Sequence, residues 1–187
     1  MHFPIFLADA GLPMIALAVP AALFSIIPII GLEFWMARNI HPVSANRRLF
    51  VVAVANGLST LAGWPLLWIV LAAIQLFVIP GGSGCYGLST FWGALASVTL
   101  QAPWLIPYES DLYWMVPTAS LVLLIPAFFV TILIEGWVLR SGWPQVLAAE
   151  RSRFVWKSNL ASYALLISID LGWLAYSVLT KNSNLCR

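Results

Sequence analysis

The chain has 187 residues, of which 61% are hydrophobic and only 9% charged, with a net charge of +2 and a mean hydropathy of +0.93. A soluble domain carries roughly 25% charged residues, so this chain lacks the polar atoms to cover a water-exposed surface. A soluble catalytic domain is excluded, and a balance so close to neutrality offers nothing to nucleic acid.

The first stretch, residues 1–13, holds one acid, Asp9, and no Lys or Arg. A secretory signal needs a positively charged start and a small-residue cleavage site, so the first helix is expected to be retained. That helix is predicted over about 14–37, with Pro20 and Pro28 inside it. In a bilayer such prolines bend a helix rather than end it, provided neighbours satisfy the freed carbonyls. A basic linker follows with Arg38, Arg47 and Arg48. The second helix is predicted over about 49–79, with a kink at Gly63-Trp64-Pro65 and tilt to absorb its excess length. The breaker from Pro80 to Cys85 closes a first hairpin, residues 1–80.

Residues 81–112 form a hydrophobic central segment. Its run from Tyr86 to Pro107 is apolar yet contains Gly87, Gly93, Gln101 and Pro103, so a crossing, a re-entrant dip and an interfacial helix are all open. A second hairpin, 113–187, follows with helices over about 113–139, containing Pro117 and Pro126, and about 154–180. Ser141 to Gln145 is expected to cap the third helix, and Val146 to Lys157 to form a short amphipathic turn. These runs lack the period-two alternation of barrel strands. The fold class is therefore all-α integral membrane, with four transmembrane helices.

Charge sets the orientation. Of the nine Lys and Arg, seven stand in the two linkers: Arg38, Arg47 and Arg48 in the first, Arg140, Arg151, Arg153 and Lys157 in the second. Short Lys/Arg-rich loops stay cytoplasmic, and four crossings put both linkers on that face. The expected location is a bacterial inner membrane, with both termini and the central segment on the outer side. Trp92, Trp104 and Trp114 then serve as interfacial anchors.

The two hairpins carry the same pattern. Glu33-Phe34-Trp35-Met36-Ala37-Arg38 and Glu135-Gly136-Trp137-Val138-Leu139-Arg140 share Glu-x-Trp-x-x-Arg. Each is followed by Asn-x-x-Ser, at Asn56 to Ser59 and Asn159 to Ser162, with Glu-to-Asn separations of 23 and 24 residues. This predicts two parallel repeats, whereas inverted repeats are the commoner mark of alternating-access transporters. A carboxylate inside a helix end is costly. Glu33 and Glu135 therefore form either a proton or ligand site or a paired acid, bonded to a linker base or to the facing Asn. Asn56, Ser59, Asn159 and Ser162 read as hydrogen-bonding glue holding each hairpin shut.

Asp170, alone in the last helix and without a twin, is equally a functional acid or one bonded to a neighbouring helix or subunit. Cys85 and Cys186 both fall on the expected outer side, where two thiols can form a disulfide. His2 and His41 are the only histidines and neither lies in a helix, which argues against bis-His haem. No catalytic triad, phosphate loop or metal-ligand spacing is present, so no enzyme activity, cofactor or metal is expected.

The run from Glu33 through Asn56-Gly57-Leu58-Ser59 to Gly63-Trp64 resembles the cyanobacterial filament-integrity membrane proteins of the FraC type. The likeness covers roughly residues 14–68, with a weaker echo at Gly172-Trp173. It implies a non-enzymatic role at cell–cell or envelope junctions. From the residues alone, the expected function is an accessory or structural subunit, or an assembly factor, of a larger inner-membrane complex. Its partners are lipids and either that assembly or further copies of the chain. The alternative is a small transporter or proton-coupled channel that uses Asp170 and the glutamates.

Overall fold

The computed structural model describes residues 14–77, 88–100 and 111–185. Among them every regular element is helical: α1 Met14–Met36, α2 Ala45–Phe77, α3 Phe91–Thr99, α4 Leu112–Gly142 and α5 Ala148–Leu185. Among the described residues three helices are long and apolar enough to cross a membrane, over Ala45–Ile74, Leu112–Gly142 and Ala148–Lys181. The remaining long helix, α1, has 23 residues and coincides with the first expected one.

α2 and α5 both start earlier than polarity suggested, at Ala45 and Ala148 rather than near Leu49 and Phe154. Val146–Lys157 is correspondingly not a separate turn, because Ala148 onwards is continuous helix. The reason is that Ala, Arg and Glu are good helix formers. A polar run marks where a helix leaves the apolar region, not where its hydrogen-bond ladder ends. Pro65 lies within α2, as expected for a proline whose neighbours can satisfy the freed carbonyl.

In the central segment the described part forms one helix of nine residues, α3, capped by the Thr90 hydroxyl, which accepts from Gly93 N at 3.1 Å. At ~1.5 Å per residue it spans about 14 Å, well short of a ~30 Å hydrocarbon core. Trp92 is exposed, while Trp114 is half-buried and donates its ring N–H to Asp111 Oδ1 at 3.1 Å. Cys85, Trp104 and Cys186 lie outside the described residues.

By its contacts the chain divides into two compact units. One comprises Ala21–Leu66 and Leu124–Ser168. Its core gathers Ala37, Ile40, Val52, Leu139, Trp143 and Val155 around the two loops that join α1 to α2 and α4 to α5. Gly142 closes α4 there because no other residue fits: a Cβ would lie 2.6 Å from Val51 Cγ1. The other unit holds the described parts of 1–20, 67–123 and 169–187, where Leu71, Val98, Met115 and Ala119 are buried.

Polarity in these helices is reversed relative to a water-soluble protein. Phe24, Leu61, Phe77, Leu133 and Leu179 are exposed, while Glu33, Asn56, Glu135, Asn159 and Asp170 are buried. A helix that is apolar all round belongs inside a bilayer or a large core.

Candidate functional site

Four helices of the first unit each contribute to one buried polar cluster. α1 supplies Glu33, α2 Asn56 and Ser59, α4 Glu135, and α5 Asn159 and Ser162. Asn and Ser stand three residues apart on their helices, which puts both on the same face. Glu33 and Glu135 are only 2% and 1% exposed, so water does not reach them freely.

The hydrogen bonds are reciprocal. Asn56 Nδ2 donates to Glu33 Oε2 at 2.7 Å, and Asn159 Nδ2 donates to Glu135 Oε2 at 2.6 Å. Each amide also donates to its own helix, Asn56 to Val52 O at 3.1 Å and Asn159 to Val155 O at 3.0 Å. Both hydrogens are thereby used, and this fixes which way each amide points. The serines cross over. Ser162 Oγ donates to Glu33 Oε1 at 2.7 Å, and Ser59 Oγ donates to Glu135 Oε1 at 3.3 Å. Ser59 shares its single proton with Asn56 O at 3.1 Å, so its half of the cluster is looser.

No described Lys or Arg meets either carboxylate. Of the two pairings open for the glutamates, the facing Asn is the one formed. The glue is also more divided than expected. Asn ties Glu to the adjoining helix, whereas Ser ties it to the helix pair elsewhere in the sequence. Four neutral donors satisfy two acids, and every oxygen of both carboxylates is engaged. An arrangement of this kind locks helices together; it leaves no donor turned towards a ligand. No family model, curated protein or solved structure matches this chain.

The linker bases divide into two kinds. Arg48 Nη1 donates to Ala37 O at 3.0 Å and to Arg38 O; Arg151 Nη1 donates to Trp143 O at 2.9 Å and Val146 O at 2.5 Å. Arg47 Nε reaches Gly142 O at 3.0 Å. These three bond carbonyls at helix ends and in the loops, two of which, Ala37 O and Trp143 O, also accept from the backbone N–H of Ile40 and Val146. Arg38 lies 4.5 Å from the Trp35 ring centroid, a cation–π contact. Arg140, Arg153 and Lys157 are exposed.

Arg48 and Arg151 occupy matching places in the two linkers, as do Ala45 and Ala148, Val43 and Val146, Pro42 and Pro144. One extra residue, Gln145, offsets the second copy. The repeat therefore extends through the linkers and pairs Arg48 with Arg151, although only the folded loops show that both bond carbonyls.

Asp170 sits in the other unit, 6% exposed, and accepts from Ser120 Oγ at 2.7 Å. Of its two readings, a bond to a neighbouring helix is present. Nothing in the sequence singles out Ser120, which lies 50 positions away. Among the described residues no cluster of His, Cys, Asp or Glu is built to hold a metal ion.

Proposed function

We propose that the chain is a four-span membrane protein of two like hairpins, and that it serves as a non-enzymatic accessory subunit or assembly factor of a larger bacterial inner-membrane complex. The observation that carries this reading is the closed cluster. The repeated polar residues Glu33, Asn56, Ser59, Glu135, Asn159 and Ser162 are consumed in binding α1, α2, α4 and α5 to one another. In this reading α1 is the fourth crossing, and the linkers with their seven Lys and Arg face the cytoplasm. Exposed Trp35, Trp137 and Trp156 near the linkers then lie at the interface, where lipids or partner helices meet them. The likeness of residues 14–68 to filament-integrity proteins points towards an envelope junction as the setting.

Gentle detergent extraction of the native protein, followed by native-gel mass and identification of what travels with it, tests the reading. The expected result is one large assembly with defined partners. Migration alone, as a monomer or small homo-oligomer, rejects it.

A second reading, a proton-coupled channel or transporter, rests on Asp170, a buried acid with one hydrogen-bond donor. Asp170→Asn keeps an oxygen for Ser120 Oγ, so thermal stability in micelles is expected to change by less than about 1 kcal/mol. On the subunit reading the variant assembles and supports the complex normally. If ion flux in reconstituted vesicles exists and disappears with this substitution while assembly persists, the transport reading replaces it.

A further inference from the structure

Between the end of α4 and the start of α5 there is a cavity of about 220 Å³ that no part of the polar cluster uses. α4 lines it with Ile132, Gly136 and Arg140, four residues apart and so on one stripe. From α5 come Arg151, Ser152, Val155 and Trp156. Both walls change character in the same direction: Ile132, Gly136, Val155 and Trp156 are apolar or small, and Arg140, Arg151 and Ser152, nearer the loop, are basic or polar.

We propose that this groove binds one anionic phospholipid, its phosphate held by Arg140 and Arg151 and the start of an acyl chain lying along Ile132 and Val155. The proposal rests on the membrane reading above. Charge and polarity argue for this occupant. Arg140 is exposed and has no hydrogen bond or ion pair among the described residues, so its whole guanidinium fork is free for a phosphate. Arg151 spends Nη1 on the loop carbonyls, which holds its side chain in place and leaves Nη2 and Nε to donate. The Ser152 hydroxyl is exposed beside them. Glu150 is the one acid in the first turn of α5 and does not line the cavity. A free phosphate would use only the basic end, whereas a phospholipid uses both ends.

The other linker shows that the groove is particular to this one. In matching register, Phe34 replaces Gly136, Leu49 replaces Ser152 and Ala53 replaces Trp156. Arg38, the counterpart of Arg140, is already engaged with Trp35. A Cβ built on Gly136 meets nothing within 4 Å, so the helix surface there is open beside the groove.

The test is native mass spectrometry of the full chain in micelles titrated with phosphatidylglycerol, with phosphatidylcholine as the zwitterionic comparison. One phosphatidylglycerol is expected to be retained per chain in preference to phosphatidylcholine. Arg140→Gln is expected to weaken retention about fivefold, the factor one basic side chain contributes near an anionic headgroup. Gly136→Phe, which installs the first copy's residue, is expected to abolish it, and Arg38→Gln to leave it unchanged. If Gly136→Phe does not fold, the comparison of Arg140→Gln with Arg38→Gln decides by itself. Equal retention of both lipids, an equal loss in Arg38→Gln and Arg140→Gln, or displacement of the lipid by inorganic phosphate alone overturns the proposal. Alkaline extraction of the native chain separates the two levels: a chain that leaves the membrane rejects the membrane reading. A chain that stays but shows no lipid preference rejects the lipid site alone.

Discussion

Glu33→Ala is expected to destabilise the protein by about 2–4 kcal/mol, from two buried donors left without an acceptor and the space of the lost side chain. One N–H of Asn56 Nδ2 and the Ser162 hydroxyl lose their acceptor while the other Asn56 N–H stays on Val52 O, and neither can turn to water because both residues are buried. Glu33→Gln is expected to cost much less, about 1 kcal/mol or under. Its amide oxygen can accept from Asn56, and its NH₂ can donate to Ser162, whose hydroxyl also accepts. Unfolding in micelles by denaturant or heat measures both.

The crossed wiring gives a sharper form of the same experiment. A double-mutant cycle between Glu33 and Ser162 should show a coupling of about 0.6–1.7 kcal/mol. The cycle between Glu33 and Ser59 should show a smaller coupling, because no bond joins them and they communicate only through Asn56. Glu135 reverses the roles: it couples to Ser59, and more weakly, since that bond is 3.3 Å long and its proton is shared. Coupling of each glutamate to the serine of its own hairpin instead would reject the reciprocal arrangement.

Trp143→Ala is expected to cost about 3–5 kcal/mol, the range for emptying the site of a large buried aromatic. Trp143 is 0% exposed and packs 5.3 Å from Phe154, centroid to centroid, in the core that joins the two loops. Its ring N–H is buried and has no acceptor among the described residues. Trp143→Phe therefore removes an unsatisfied donor as well as some volume, and its cost should be well under half that of the alanine variant. If the two variants lose equal stability, the indole N–H has a partner and the packing account is wrong. Unfolding of both variants in the same micelles makes the comparison direct.

The sequence by itself determined the all-helical character of the fold, its long apolar helices and the identity of its buried polar residues. Those properties follow from local composition: uninterrupted apolar runs exclude a soluble surface, and a repeated Glu, Asn and Ser at constant spacing stands out against such a background. It also offered the Asn of the same hairpin as one partner for each Glu, because a short linker brings adjoining helices side by side, but it left a linker base or a ligand equally open until the structure paired Asn with Glu.

Tertiary structure alone decided the rest. Ser162 reaches Glu33 across 129 positions and Ser120 reaches Asp170 across 50, and no local pattern encodes either contact. These helices are apolar on every face, so no hydrophobic stripe marks which side turns inward, and the rotation of each helix about its axis is invisible until it packs. The linker arginines were misleading for a related reason. Their charge is legible, but whether a guanidinium pairs with an acid, closes a loop carbonyl or stays free depends on what the folded loop places within hydrogen-bond reach.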